Sequence, residues 1–257
     1  MTDSRNTADS LAGRLAAAWR DGAPIDPSLP ECAPADAEEA FAAQHELLTR
    51  LGAGIGGWKV GAKSPDGPIQ GAPLPGGGCL PTGVRLERRL YAPLGLELEI
   101  AFRFGRVFEP RDVPYPADEV FASIGQMAAA IEIVASRYRN WPKVDKLLQL
   151  ADLQNHGALI IGEAAPYRAD FPFGSPSLRF RFDDADIAGA APWANPAGDP
   201  RRLLPWIVNH CTVTRRMALT PDMTVTTGSY TGMFFPDRAG AAQGVIDGLP
   251  PVGLELF

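Results

Sequence analysis

The sequence predicts a loop-rich β architecture preceded by a helical arm. Glycine and proline are both abundant, 27 and 25 of 257 residues, and these residues punctuate short strands and turns. Apolar residues recur at helical spacing through residues 1–53, and from Gly56 onward the pattern changes to short apolar runs between Gly/Pro turns.

The arm contains two helices. Leu11, Leu15 and Trp19 form one stripe. Asp36 followed three residues later by Glu39 is a capping-box pair that opens the second helix, and Gly52 is its natural stop. A Pro-rich connector from Ala23 to Pro34 joins them. Residues 1–53 are thus read as an N-terminal helical region and 54–257 as the main domain. Within the latter, helical stretches are expected over about Ala117 to Met127, led in by Pro116, and over about Pro200 to Cys211. Gly174 to Gly198 reads as a strand followed by a Pro/Gly/Ala-rich excursion.

Composition narrows the function classes. With 46% hydrophobic and 21% charged residues the chain has a globular balance. Its net charge is 24 − 30 = −6, and basic residues cluster no further than Arg88-Arg89, Arg201-Arg202 and Arg215-Arg216, so no nucleic-acid partner is expected. Cys32, Cys79 and Cys211 are odd in number and widely separated, which points to neither a disulfide framework nor a zinc ribbon. The N-terminus lacks an apolar export segment, and no apolar run reaches membrane-spanning length. A soluble cytoplasmic protein without a membrane partner is expected.

Three carboxylates stand out. Glu97 and Glu99 lie in Leu94-Gly95-Leu96-Glu97-Leu98-Glu99-Ile100-Ala101-Phe102, whose even positions are all apolar. A strand has a side-chain period of two, so both leave one face roughly 7 Å apart. Glu132 sits in the apolar run Ala128-Ala129-Ala130-Ile131-Glu132-Ile133-Val134-Ala135, where an unpaired charge is costly to bury. Converging carboxylates repel one another unless protonated or bridged by a cation, and oxygen-only ligands suit Mg²⁺ or Mn²⁺ better than zinc. An ordinary half-exposed strand with both glutamates facing water, and a Glu132 paired with an arginine, are equally consistent with the spacing. Lys59, between the glycines of Gly57-Trp58-Lys59-Val60-Gly61, is either a surface lysine or an acid/base whose pKa falls beside a metal.

Taken in order, Gly57-Trp58-Lys59-Val60-Gly61, Leu96-Glu97-Leu98-Glu99-Ile100-Ala101-Phe102 and Ile131-Glu132-Ile133-Val134-Ala135-Ser136-Arg137-Tyr138-Arg139-Asn140-Trp141 resemble the fumarylacetoacetate hydrolase superfamily. Within it they are similar to the 2-keto-4-pentenoate hydratase/4-oxalocrotonate decarboxylase branch. Ala151-Asp152 and Thr227-Gly228-Ser229 follow at matching distances, and the likeness spans roughly Ala40 to Phe257. The resemblance implies an α+β fold, its mixed β-sheet core rolled into a sandwich or barrel-like form behind an N-terminal helical region. It also implies a homodimer or larger homo-oligomer. Glu97, Glu99 and Glu132 become metal ligands for Mg²⁺ or Mn²⁺, and Lys59 the catalytic lysine. Arg137, Ser229, Thr231 and Asp152 are the candidate substrate contacts.

Two departures fall where substrate and proton-transfer groups are expected. The acidic residue usual after the lysine motif is missing from Leu74-Pro75-Gly76-Gly77-Gly78-Cys79-Leu80, and Ala-Asp-Asn-x-Ser becomes Ala151-Asp152-Leu153-Gln154-Asn155. His45-Glu46 lies inside a helix and reads as structural, which demotes C–C hydrolysis. The expected activity is a divalent-metal-dependent hydratase adding water to a 2-hydroxy-2,4-dienoate to give a 4-hydroxy-2-oxo acid, in the catabolism of aromatic compounds. A decarboxylase sharing the same ligands and a non-catalytic paralogue acting as partner subunit are the alternatives.

Overall fold

The computed structural model describes residues 4–28 and 33–257. Cys32 and part of the expected connector lie outside the described residues. Helix α1 (Ser4–Asp21) carries the predicted stripe: Leu11 and Leu15 are fully buried. Helix α2 (Ala37–Leu51) opens at Asp36, whose side chain accepts the Glu39 N–H. It stops at Gly52, where φ is +63°, a conformation glycine adopts without strain. The two helices share an apolar cluster with α4 (Lys146–Ala151), Ala72 and Tyr138. Full burial of each such leucine contributes about 1.5–3 kcal/mol.

Thirteen strands follow among the described residues. The larger sheet holds β1 (Ile55–Gly61), β2 (Gln70–Pro75), β3 (Cys79–Pro81), β5 (Gly95–Phe104), β6 (Ile124–Val134), β7 (His156–Ile161), β8 (Ala165–Pro166) and β11 (Thr224–Ser229). Its order is β2-β1-β11-β5-β6-β7-β3, with β8 paired to β6. The smaller sheet holds β4 (Val84–Leu86), β9 (Leu178–Phe182), β10 (Ala185–Asp186), β12 (Gly240–Ile246) and β13 (Val252–Leu256), in the order β10-β9-β12-β13-β4. Both are mixed: β1–β11, β3–β7 and β4–β13 pair in parallel, the other ladders antiparallel. The class is α+β, with few helices, α3 (Ala117–Ala122) and α5 (Leu203–Asn209) completing the set.

The sheets share one core. From β5 come Leu96, Leu98, Ile100, Phe102 and Phe104; from β9 come Leu178, Phe180 and Phe182. In β9 the intervening Arg179 and Arg181 are exposed, the pattern of a sheet with one wet face. In β5 and β6 the second face is covered as well. That second face carries Glu97, Glu99 and Glu132. Edge strands β2 and β3 are joined by only Gly76–Gly78, a link that spans at most about 14 Å. The large sheet therefore curls until its edges approach, but no ladder joins them and no closed barrel forms among the described residues.

One helical expectation is corrected and the other is met. The stretch from Ala117 turns at Ser123, and Ile124–Val134 is strand, because its residues pair along the whole of β5. The stretch from Pro200 is a 3₁₀ turn (Pro200–Arg202), α5, and a π-helical turn (His210–Thr214). The region after Gly174 forms β9 and β10 and then a long loop to Pro200, as expected. His45 and Glu46 lie within α2, where Glu46 pairs with Arg50 at 2.9 Å. Cys79 and Cys211 are free thiols. No helix among the described residues is long and apolar enough to cross a membrane.

Candidate metal centre

The β5–β6 register sets Glu97 directly opposite Glu132, with Glu99 one repeat further along the same face. Like charges facing one another across an antiparallel pair are destabilising. One oxygen from each of Glu97, Glu99 and Glu132 lies within 4.8 Å of the others. Glu99 and Glu132 are buried and Glu97 is partly so. Burial, then the Glu132 charge, pushes the Glu97 carboxyl up to about 7. Burial, then Glu132 and Glu97, pushes Glu99 up to about 8. Crowded, buried, all-oxygen donors fit a hard divalent cation, which would replace the protons they otherwise hold.

Strand β11 anchors one of the three carboxylates. The Thr226 hydroxyl donates to Glu99 Oε2, and the Gly228 N–H reaches the same oxygen at 3.0 Å. Gly228 has φ +90°, open to glycine and strained for any side chain. Asn195 holds this bend from outside, its amide donating to the Thr227 and Gly228 carbonyls at 2.9 and 3.1 Å.

Lys59 enters from β1, paired in register with Thr226. Its Nζ donates to Glu132 Oε1 at 2.5 Å and to the Gln154 carbonyl at 3.1 Å. Burial works against its charge, but Glu132, Glu99 and Glu97 outweigh burial and hold its pKa above the ordinary lysine value. The fall expected beside a metal is thus not the state that the carboxylates alone produce. Glu132 is the reciprocal case: burial raises its pKa, but the Lys59 charge and the adjacent His156 leave it net lowered. Glu132 is a carboxylate between the Lys59 cation and two carboxyls whose pKa values are pushed up to about 7 and about 8.

His156, fully buried at the start of β7, puts Nδ1 3.5 Å from Glu132 Oε1. Neither ring nitrogen makes a hydrogen bond of ordinary geometry. Burial, chiefly, lowers its pKa and keeps the ring neutral. A Cβ on Gly78 would lie 3.1 Å from Nε2, so the glycine turn between β2 and β3 rests on the ring.

The four candidate substrate contacts are engaged within the chain. Arg137 and Asp152 are buried and paired with one another, Nε to Oδ1 at 2.6 Å. Ser229 stands opposite Glu99 in register, but its hydroxyl donates to the Gly232 carbonyl at 3.1 Å. Thr231 Oγ1 also donates to Gly232, at 3.2 Å, and accepts the Leu98 N–H at 3.4 Å. Sequence reasoning missed Thr226, the Gly228 N–H, the Gln154 carbonyl and His156. Thr226 was within reach: it alternates with the core residue Val225, so the period of two turns it to the opposite face, where the carboxylates are. Backbone groups leave no such sign.

No family model matches the chain, and no curated protein matches it in sequence. Solved structures do. Over 100% of both chains it superposes on 4-oxalocrotonate decarboxylase from Pseudomonas putida G7, solved with magnesium and adipate, at a TM-score of 0.85 and 18% identity. The chain shares the fold of that decarboxylase. Fumarylpyruvate hydrolase from Pseudomonas aeruginosa, solved with Mn²⁺ and pyruvate, matches at a TM-score of 0.54 and 15% identity, over 77% of this chain and 88% of that one. A 2-hydroxyhepta-2,4-diene-1,7-dioate isomerase from Mycobacterium marinum matches at 0.55 and 17%, over 79% and 76%.

Proposed function

We propose that the chain is a divalent-metal-dependent lyase acting on a 2-oxo acid or its 2-hydroxydienoate tautomer. In this reading Glu97, Glu99 and Glu132 hold Mg²⁺ or Mn²⁺, and Lys59 handles the proton. The observation that carries it is the convergence of three carboxylate oxygens within 4.8 Å, with the Lys59 ammonium on one of the three glutamates. A bound divalent ion supplies positive charge beside the substrate carboxylate and C2 oxygen, where negative charge develops.

In the hydratase reading, a proton moves along the 2-hydroxy-2,4-dienoate to give an α,β-unsaturated ketone. Water then adds at C4, its second proton ends on C3, and the product is a 4-hydroxy-2-oxo acid. Lys59 Nζ gives or takes the proton at the dienolate. Ser229 and Thr231, one bend from Glu99, would meet the substrate carboxylate by turning off the Gly232 carbonyl.

The full-length likeness to a decarboxylase favours a second reading. There the bond to a departing carboxylate breaks and its electron pair passes along the conjugated chain to the C2 oxygen. CO₂ leaves, and a proton returns to the dienolate.

Purified protein with Mg²⁺ tests both. Metal-dependent loss of dienol absorbance with a 4-hydroxy-2-oxo product supports the hydratase. CO₂ released from an unsaturated 2-oxo diacid supports the decarboxylase. Inertness across 2-oxo acids with Mg²⁺ still bound would overturn the enzyme and leave a non-catalytic partner subunit.

A further inference from the structure

Between α4 and β7 the chain does something unusual. Leu153, Gln154 and Asn155 have φ values of 49, 53 and 58°, three successive side-chain-bearing residues in the left-handed region. L-residues visit that region singly and at a cost, so the surroundings must hold the turn in place. The turn aims the Gln154 carbonyl at Lys59 Nζ, 3.1 Å away.

Arg137 grips both ends of this turn. Its Nη2 donates to the Asp152 carbonyl at 3.1 Å and its Nη1 to the His156 carbonyl at 2.7 Å. Its Nε and its own backbone N–H donate to Asp152 Oδ1 and Oδ2, at 2.6 and 2.9 Å. The guanidinium carbon lies 4.3 Å from the centre of the Trp19 ring of α1. With its fork committed in this way, the guanidinium has a structural partner in every direction that matters to the turn.

We propose that Trp19, Arg137 and Asp152 form a clamp whose task is to hold the 153–155 turn, and through its Gln154 carbonyl the Lys59 ammonium, in a fixed place. Arg137 is a positioning residue for Lys59. This rests on the reading of Lys59 as the proton-handling group, and it links the N-terminal helix to the carboxylate centre.

The test is Arg137→Lys in the full chain, since a lysine cannot fork between two carbonyls. Three quantities are read with Mg²⁺ present: kcat against KM, Mg²⁺ affinity, and the acylation rate of each lysine at one fixed pH by peptide mass spectrometry. The clamp predicts a kcat lower by about tenfold or more, with KM and Mg²⁺ affinity within about twofold. Lys59 should acylate several-fold faster while Lys63 and Lys143 do not change. A raised KM at unchanged kcat would overturn the clamp in favour of direct substrate contact. Unchanged kcat and unchanged Lys59 acylation in a folded variant would overturn it in favour of a purely structural pair. The acylation arm needs no turnover, so it still reads the clamp if the wild-type protein proves inactive as a lyase. Should Arg137→Lys not fold, Trp19→Leu keeps an apolar side chain and removes the ring. The same signs at about threefold are expected, and unchanged Lys59 acylation there would overturn the proposal.

Discussion

Arg137–Asp152 and Lys59–Glu132 are both buried cation–carboxylate pairs, and they lie on either side of one short turn. They differ in how completely their partners are satisfied. Arg137 spends its donors on Asp152 and two carbonyls, and Asp152 also accepts from Ser136. Lys59–Glu132 shares its space with two further carboxyls whose pKa values are raised to about 7 and about 8, and with a histidine whose nitrogens make no ordinary hydrogen bond. Even the saturated pair is not free of cost: burial, against the pull of Arg137, leaves the Asp152 pKa raised. A saturated buried pair specifies shape; an unsaturated one, crowded by like charge, is poised to accept something else.

The sharpest way to break this contrast is Glu132→Gln, which removes a candidate ligand and the Lys59 counter-charge together. Activity should vanish and Mg²⁺ affinity fall by at least about a hundredfold in calorimetry; unchanged binding would mean that the trio is not the metal centre. Lys59→Ala comes next. Its kcat should drop by about 10²–10⁴ while Mg²⁺ affinity does not weaken, because a nearby positive charge is gone. Arg137→Met probes the other pair and should cost about 3–5 kcal/mol in denaturant unfolding, because it strands a buried carboxylate. Adding Asp152→Leu should recover much of that loss. A double variant no more stable than the single would show that the pair does more than neutralise itself.

The smallest effect is on pH. Glu97 and Glu99, raised to about 7 and about 8 from 4.5, favour the folded state while protonated. That contribution is complete below the ordinary carboxylate pKa and is lost as pH rises through about 7 and 8. In EDTA, stability should therefore fall from about pH 4.5 to about pH 8, by at most about 1.4 kcal/mol per group and pH unit, and Mg²⁺ should flatten the slope. Melting temperatures read the trend, and one that rises over this range in EDTA would contradict the crowding.

Much of this is legible in the sequence because it depends on period. Two-residue spacing puts Glu97 and Glu99 on one face, and an apolar run flags Glu132 as buried. Helix α2 is legible from its caps, Asp36 and Gly52. The extent of α3 is not, because pairing of Ile124–Val134 with β5 decides where the helix stops, and pairing is non-local. Arg137 and Asp152 stand out in the chain as polar residues beside important motifs, but only the three-dimensional arrangement shows that they face each other. The Gln154 carbonyl has no signature at all, since every residue carries one.

The short Gly76–Gly78 link between β2 and β3 has a consequence for self-association. A sheet whose outermost strands lie bare offers a template on which another chain can add. Here three small residues pull those two strands toward each other, so the fold guards its margins by a covalent tether where a barrel would use a hydrogen-bonded seam. Lengthening that tether would leave every ladder intact and still give the margins slack, exchanging a guarded rim for an adhesive one.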